Sequence, residues 1–240
     1  MCTLIALLGS VPGYPLVVAM NRDEFYDRPS LPPTLRSAPK KMICPQDERA
    51  EGTWIGVNED GLVAAVSNRF AGKPNPRARS RGLLCLESLA FGGAAEAAMF
   101  AAERTEASAY NPFNLFLADP RRIACTGHED GTWTVHGVRG LNVLTNAGLN
   151  AGDPRAQRAL QLLTDTPLDS LDAFLAATRR VLADHEDVGG RAICHHGEKT
   201  GTRSQTVIAV SESGWRHNRL WYAEGHPCTS ASAELSKRFR

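Results

Sequence analysis

MCTLIALLGSVPGYPLVVAMNRDEF, residues 1–25, decides how the rest of the chain is read. Thr3 to Leu8 and Leu16 to Met20 are apolar at successive positions, the pattern of strands covered on both faces. Gly9, Ser10, Pro12, Gly13 and Pro15 lie between them, so a hairpin is expected. With a loop from Ser10 to Pro15 and Gly9 facing Leu16, Cys2 falls opposite Asp23 and beside Arg22. The polar tetrad Asn21-Arg22-Asp23-Glu24 is thereby carried back to the amino terminus. The same stretch does not read as a signal peptide, because it lacks a basic leading segment and its apolar run is split by Gly and Pro. No run in the chain reaches the roughly 18 apolar residues of a membrane span, so a cytoplasmic protein is expected.

The length of 240 residues suits a single domain, 1–240, with a large core. Hydrophobic residues at 42% and charged residues at 22% exclude a disordered or fibrous chain. The 27 basic and 26 acidic side chains nearly cancel, which gives no electrostatic case for nucleic acid or an anionic membrane as partner. Cys2, Cys44, Cys85, Cys125, Cys194 and Cys228 form no CxxC pair. All but the first are expected to be buried or half-buried thiols in a reducing compartment.

Outward from the first hairpin, the prolines of Asp27 to Lys41 predict an extended surface loop. Thr53 to Val57 and Leu62 to Ser67 predict a second hairpin around Asn58-Glu59-Asp60-Gly61. Ala71 to Arg81 carries Lys73, Arg77, Arg79 and Arg81 among Gly and Pro. It reads as a solvated loop, with a rim that attracts an anionic substrate group as the alternative. Gly82 to Glu106 is helical in pattern with a break at Gly92-Gly93. Short strands are expected at Asn114–Ala118, Ile123–Thr126, Thr132–His136 and Leu141–Leu144. Asp153-Pro154 opens a helix to Leu163, and Asp169 to Ala183 forms another. Thr206–Ser211 and Trp215–Tyr222 predict a closing strand pair. Strands and helices in separate blocks imply a layered α+β domain with sheets stacked between helices. Neither GxGxxG nor GxxxxGK[ST] occurs.

Cys2 is the residue whose position bears most on chemistry. Removal of Met1 would leave its α-amine free, with a reference pKa of about 7.7–8.0, so one residue would hold both a thiol and its base. Arg22 would favour the thiolate, and Asp23 would orient the amine. A cysteine that merely starts a buried strand is the plainer alternative.

MCTL followed by AMNRDEFYDRP resembles the NRDE family, also called the Transport and Golgi organisation family. Gly52-Thr53-Trp54-Ile55-Gly56-Val57-Asn58, Gly61-Leu62-Val63-Ala64, Ser67-Asn68-Arg69, Leu144-Thr145-Asn146-Ala147 and Gly201-Thr202-Arg203-Ser204 carry the resemblance along nearly the whole chain. More distantly these landmarks are similar to the N-terminal-nucleophile amidases of the penicillin V acylase and bile salt hydrolase group. The resemblance implies an αββα sandwich with Cys2, Arg22, Asp23, Asn146 and Arg203 as the catalytic set. It implies an oxyanion hole from the Asn146 side chain and the backbone at Asn68, and substrate contacts from Asn21, Glu24, Asn68 and Arg69. In those amidases the Arg and Asp are two residues apart. Arg22 and Asp23 are adjacent and project to opposite faces of a strand unless a bulge intervenes, so Glu24, on the face of Arg22, is the substitute.

Two functions follow. One is a hydrolase acting on an amide or thioester of a small acyl compound, needing no cofactor. The other is a non-catalytic carrier on the same fold, which the resemblance links to haem and to lipid or acyl-CoA. Cys194-His195-His196 with His226 and Cys228 has no closed zinc-site spacing, so no metal is expected. The four tryptophans read as packing anchors.

Overall fold

The computed structural model describes residues 2–69, 73–128, 139–189 and 192–240. The opening hairpin is β1 (Thr3–Val11) and β2 (Tyr14–Phe25). They sit inside a sheet completed by β9 (Gly140–Leu144), β10 (Thr200–Val210), β11 (Arg219–Glu224) and β12 (Ala233–Glu234), in the order β12-β11-β10-β2-β1-β9. The second sheet runs β3-β4-β5-β6-β7-β8, from β3 (Ser30–Arg36), β4 (Met42–Asp47), β5 (Ile55–Asn58), β6 (Val63–Asn68), β7 (Phe113–Asp119) and β8 (Arg122–His128). Helices α1 (Arg81–Ser88) and α2 (Ala94–Ala107) pack on the second sheet, while α3 (Pro154–Leu163) and α4 (Leu171–Leu182) pack on the first.

The unbroken apolar run of β1 has the purpose its pattern predicts. Leu4, Ala6 and Leu8 join the core shared with the second sheet, and Ile5 and Leu7 join the core under α3 and α4. Val18 and Met20 of β2 face the former, Val17 and Ala19 the latter. Each of the fully buried Leu, Ile, Val and Met side chains among them contributes about 1.5–3 kcal/mol. The result is the αββα sandwich. Both carboxy-terminal helices start on side-chain caps: Asp153 accepts from the Arg155 backbone N–H at 3.2 Å, and Ser170 accepts from that of Ala173 at 3.2 Å. Among the described residues no helix is long and apolar enough to cross a membrane.

Three expectations need correction. The β1–β2 register pairs Thr3 with Asn21 and Leu8 with Leu16, one step from that expected, so continuing it sets Cys2 opposite Arg22. The strands also run further, to Val11 and Tyr14 around Pro12-Gly13, and the register shift falls at Gly9, whose φ is 76°. Within Asp27 to Lys41 lies β3, an edge strand whose Pro32 and Pro33 fall at a shift between Leu31 and Thr34, where missing N–H groups break no ladder. Trp215 to His217 is a 3₁₀ turn, and the strand begins at Arg219. The strand expected at Thr132–His136 lies outside the described residues.

Candidate functional site

A cleft of about 460 Å³ opens where the start of β1 meets the far end of β2, and the half-buried Cys2 thiol lies on it. Burial pushes that thiol above its ordinary pKa; the nearby Asp23 carboxylate adds to the rise, while Arg22 and a hydrogen bond from the Asp23 backbone oppose it. The resting group is therefore a thiol held among charges, not a preformed thiolate.

Arg22 is almost wholly buried beside it. Its guanidinium carbon stands 4.1 Å from the centre of the Trp54 ring, and its Nη1 donates to Ser30 Oγ at 3.4 Å. Nη2 lies 3.7 Å from Asp47 Oδ2 and makes no hydrogen bond among the described residues. Burial depresses the pKa of Arg22, with Glu24, Cys2 and Asp47 opposing, yet a guanidinium remains cationic at neutral pH.

Asp23 also borders the cleft, although it follows Arg22 directly. Opposite this step, the β2–β10 ladder shifts: Asp23 pairs with Thr202 but Arg22 pairs with Ser204, leaving Arg203 as the extra residue. Such a bulge locally raises the twist. Along β2 the two side chains keep the alternation of a strand: Arg22 meets Trp54, Ser30 and Asp47, and the Asp23 carboxylate turns to Thr202. Asp23 Oδ1 accepts from Thr202 Oγ1 at 2.6 Å, and that hydroxyl in turn accepts from the His195 N–H at 2.9 Å. Glu24 borders the cleft too, 3.8 Å from Arg28.

The remaining expected residues separate into two groups. Asn68 lines the cleft, and behind it the Asn146 amide nitrogen donates to the Asn68 carbonyl. Asn146 Oδ1 accepts from Arg155 Nη2 at 2.7 Å, and since a guanidinium only donates, this fixes which way the amide faces. Asn146 itself, like Asn21, Arg69 and Arg203, is not among the residues that line the cleft. The buried Asn21 amide donates to the carbonyls of Leu182 (2.7 Å) and Ile193 (3.3 Å) on the helix side of the sheet. Arg69 Nη1 donates to Asn114 Oδ1 at 3.3 Å. Arg203, displaced by the bulge, donates to the carbonyls of Phe25 (3.2 Å) and Tyr26 (2.5 Å).

Several site residues escaped the sequence reading. Arg28, Arg49, Arg79 and Arg81 join Arg22 on the cleft against the carboxylates of Asp23, Glu24 and Asp47. The segment read as a solvated loop therefore supplies part of the cleft wall. Arg79 is held by Glu87, at 2.5 and 2.9 Å, while Arg81 donates to the Pro112 carbonyl at 2.9 Å. Gly52 permits this arrangement: a Cβ there would lie 2.2 Å from the Gly82 carbonyl carbon, and Thr53 N–H donates to that carbonyl at 3.0 Å. Asn114 and Arg155 had no sequence signal beyond being polar residues in apolar surroundings.

Away from the cleft, His185, Cys194, His196 and Cys228 converge, with one ligand atom from each lying within 4.8 Å of the others. His185, Cys194 and His196 lie in the connection from α4 to β10 and Cys228 in that from β11 to β12, so spacing along the chain did not register the cluster, and His226 stacks on His196 instead of joining it.

Among solved structures, penicillin V acylase from Agrobacterium tumefaciens superimposes with a TM-score of 0.56 at 15% identity, over 98% of this chain and 87% of that one. A mutant of conjugated bile acid hydrolase from Clostridium perfringens gives 0.61 at 14%, over 99% and 93%. These likenesses concern the fold. In sequence, the Transport and Golgi organization protein 2 homologs of Bos taurus and Homo sapiens are each 28% identical, over 84% of both chains. The family model described as Transport and Golgi organisation 2 matches residues 1–224, a span holding the hairpin, the bulge and the whole cleft, and the chain belongs to that family.

Proposed function

We propose that the chain is an N-terminal-cysteine hydrolase that cleaves the amide or thioester bond of a small acyl compound bearing an anionic group. What supports this reading is the Cys2 thiol opening onto a polar cleft beside Arg22, Asp23 and Asn68. On this reading Met1 is removed and Cys2 carries the α-amine, whose reference pKa of about 7.7–8.0 leaves a usable neutral fraction. The amine takes the thiol proton as Sγ bonds to the substrate carbonyl carbon, and the carbonyl electron pair moves onto oxygen. The Asn68 backbone N–H holds that oxyanion, joined by the second N–H of the Asn146 amide, whose first is given to the Asn68 carbonyl. Collapse restores the carbonyl and expels an amine or thiol, which takes its proton from the α-ammonium. Water, deprotonated by the same amine, then attacks the thioester, releasing the acid and regenerating the thiol. A resting thiol kept protonated by burial suits a base that acts during attack. The Nη2 of Arg22, which lacks a hydrogen bond among the described residues, and the excess of arginines favour a carboxylate or phosphate on the substrate.

The carrier reading, for haem or an acyl-CoA, draws on the same arginines, which would meet propionates or phosphates. Both are tested with purified protein, N-acyl amino acids and acyl thioesters. The hydrolase predicts an intact mass without Met1, an acyl adduct on Cys2 and turnover abolished by Cys2→Ala. A retained Met1, or turnover that survives Cys2→Ala, would overturn it. Haem or acyl-CoA binding undiminished in Cys2→Ala, with no turnover by the unmodified protein, selects the carrier.

A further inference from the structure

We propose that His185, Cys194, His196 and Cys228 form a zinc site, separate from the cleft, that clamps the connection from α4 to β10 onto the connection from β11 to β12. His185 follows α4, Cys194 and His196 precede β10, and Cys228 lies between β11 and β12. The donor set, two thiols and two imidazoles, is that of a closed structural zinc site. The spacing fits as well. Tetrahedral zinc with Zn–S of about 2.3 Å and Zn–N of about 2.0–2.1 Å has a sulfur-to-nitrogen edge of about 3.5 Å. Here His196 Nε2 lies 3.5 Å from Cys194 Sγ and 3.3 Å from Cys228 Sγ. One imidazole nitrogen thus faces both sulfurs at ligand-to-ligand distance.

His185 is oriented in the way a ligand histidine needs. Its Nδ1 lies 3.2 Å from the Cys194 carbonyl oxygen, which only accepts, so Nδ1 carries the proton and Nε2 keeps its lone pair. His226 stacks on His196, with ring centroids 3.7 Å apart, and restrains that ring from the other side. Two thiolates balance the charge of a divalent ion.

Neither of the other uses of these residues accounts for the arrangement. A Cys194–Cys228 disulfide would employ two of the four groups and leave both imidazoles directed at nothing. A Cys194–His196 nucleophile would need an accessible sulfur, and Cys194 is 1% exposed. A bound metal would displace the thiol protons. The clamp also reaches toward the cleft. His195, between two of the ligands, donates its N–H to Thr202 Oγ1 (2.9 Å), and Thr202 returns its N–H to the His195 carbonyl (2.8 Å). The same Thr202 hydroxyl holds Asp23.

The test uses reduced, chelator-treated full-length protein titrated with zinc chloride, read by native mass spectrometry, and with cobalt(II) chloride, read by absorbance. One zinc per chain is expected, together with the thiolate-to-cobalt and intense tetrahedral bands of a cysteine-bound ion. Cys228→Ser and His185→Gln, both on loops and not fully buried, should fold and weaken zinc by at least the roughly 10–100-fold typical of losing a supporting contact. His217→Gln, an exposed histidine elsewhere, should bind as the unmodified chain does. Zinc should also slow amide exchange at Thr202. No uptake, uptake undiminished in both variants, cobalt spectra without thiolate bands, or a Cys194–Cys228 disulfide in protein purified without air would each overturn the site. None of these readouts depends on turnover, so the hydrolase reading stands or falls separately.

Discussion

Asn114 offers the sharpest test of how the two sheets are held in register at the cleft. It sits on β7 in the second sheet, fully buried, and its amide nitrogen lies 3.0 Å from the Thr145 carbonyl, 3.2 Å from the Asn146 carbonyl and 3.2 Å from Ser67 Oγ. Thr145 and Asn146 directly follow β9 of the first sheet, so one amide crosses the sandwich and fixes the segment that carries Asn146. Asn114→Ala removes both donors. Ser67 Oγ, 3.4 Å from the Thr145 carbonyl, remains as a weak partner for one acceptor, while the Asn146 carbonyl loses the Asn114 bond. A net hydrogen bond is worth about 1 kcal/mol and an orphaned buried acceptor costs about 1–3 kcal/mol, giving a loss of about 2–3 kcal/mol. For a chain of this size that lowers Tm by about 4–12 °C. Asn114→Asp should cost more, because it aims a carboxylate at carbonyl oxygens. Urea unfolding followed by tryptophan fluorescence should show a lower midpoint at unchanged slope, with faster amide exchange at Ala147. A loss below about 0.5 kcal/mol for Asn114→Ala would refute the clamp, since that is the range of inert surface changes.

Two further predictions concern charge. Because burial raises the Cys2 thiol pKa and Arg22 is one of the groups that oppose the rise, Arg22→Leu should move the pH profile of Cys2 alkylation by iodoacetamide to higher pH and slow labelling at neutral pH; an unmoved profile would show that the guanidinium does not act on the sulfur. The Glu87 carboxyl is held below its ordinary value of 4.5 chiefly by the hydrogen bonds from Arg79, so this pair stabilises the fold above that pH and ceases to do so as pH falls through the lowered value. Chemical denaturation from pH 6 to pH 3 should show Arg79→Met removing up to about 1 kcal/mol at the upper end and nothing at the lower; an equal loss at both ends would contradict the linkage.

The fold was readable where burial on two faces leaves its mark on composition. Thr3 to Leu8 could not be a half-exposed strand, because no register hides Leu4, Ala6 and Leu8 without turning Ile5 and Leu7 to the other face, and both sets proved to be buried. The caps at Asp153 and the break at Gly92-Gly93 are local backbone chemistry and were equally legible. What escaped depended on partners distant in the chain. Nothing near Pro32 and Pro33 says that β4 waits to pair with them at an edge, and nothing near Arg79 or Arg81 says that Gly52 and Gly82 touch, drawing that basic segment over Cys2. His185 and Cys228 are 43 positions apart, so no spacing rule would join them.

The adjacency of Arg22 and Asp23 shows why a site cannot be transferred along a strand by residue type alone. In an undisturbed strand the two side chains diverge, and either the guanidinium or the carboxylate must leave the cysteine. Here they do diverge, the guanidinium to Trp54, Ser30 and Asp47 and the carboxylate to Thr202, and β10 follows them, with Arg203 dropping out of the ladder between Thr202 and Ser204. Arg203 then spends its guanidinium on the carbonyls of Phe25 and Tyr26, just beyond the tetrad, while Thr202 is set to hold Asp23. A residue expected in the pocket is better understood as part of what shapes its border: in a regular strand Thr202 and Ser204 would share a face, and the extra residue between them lets each meet the residue it pairs with, so removing it would take the Thr202 hydroxyl from Asp23 without touching the cysteine itself.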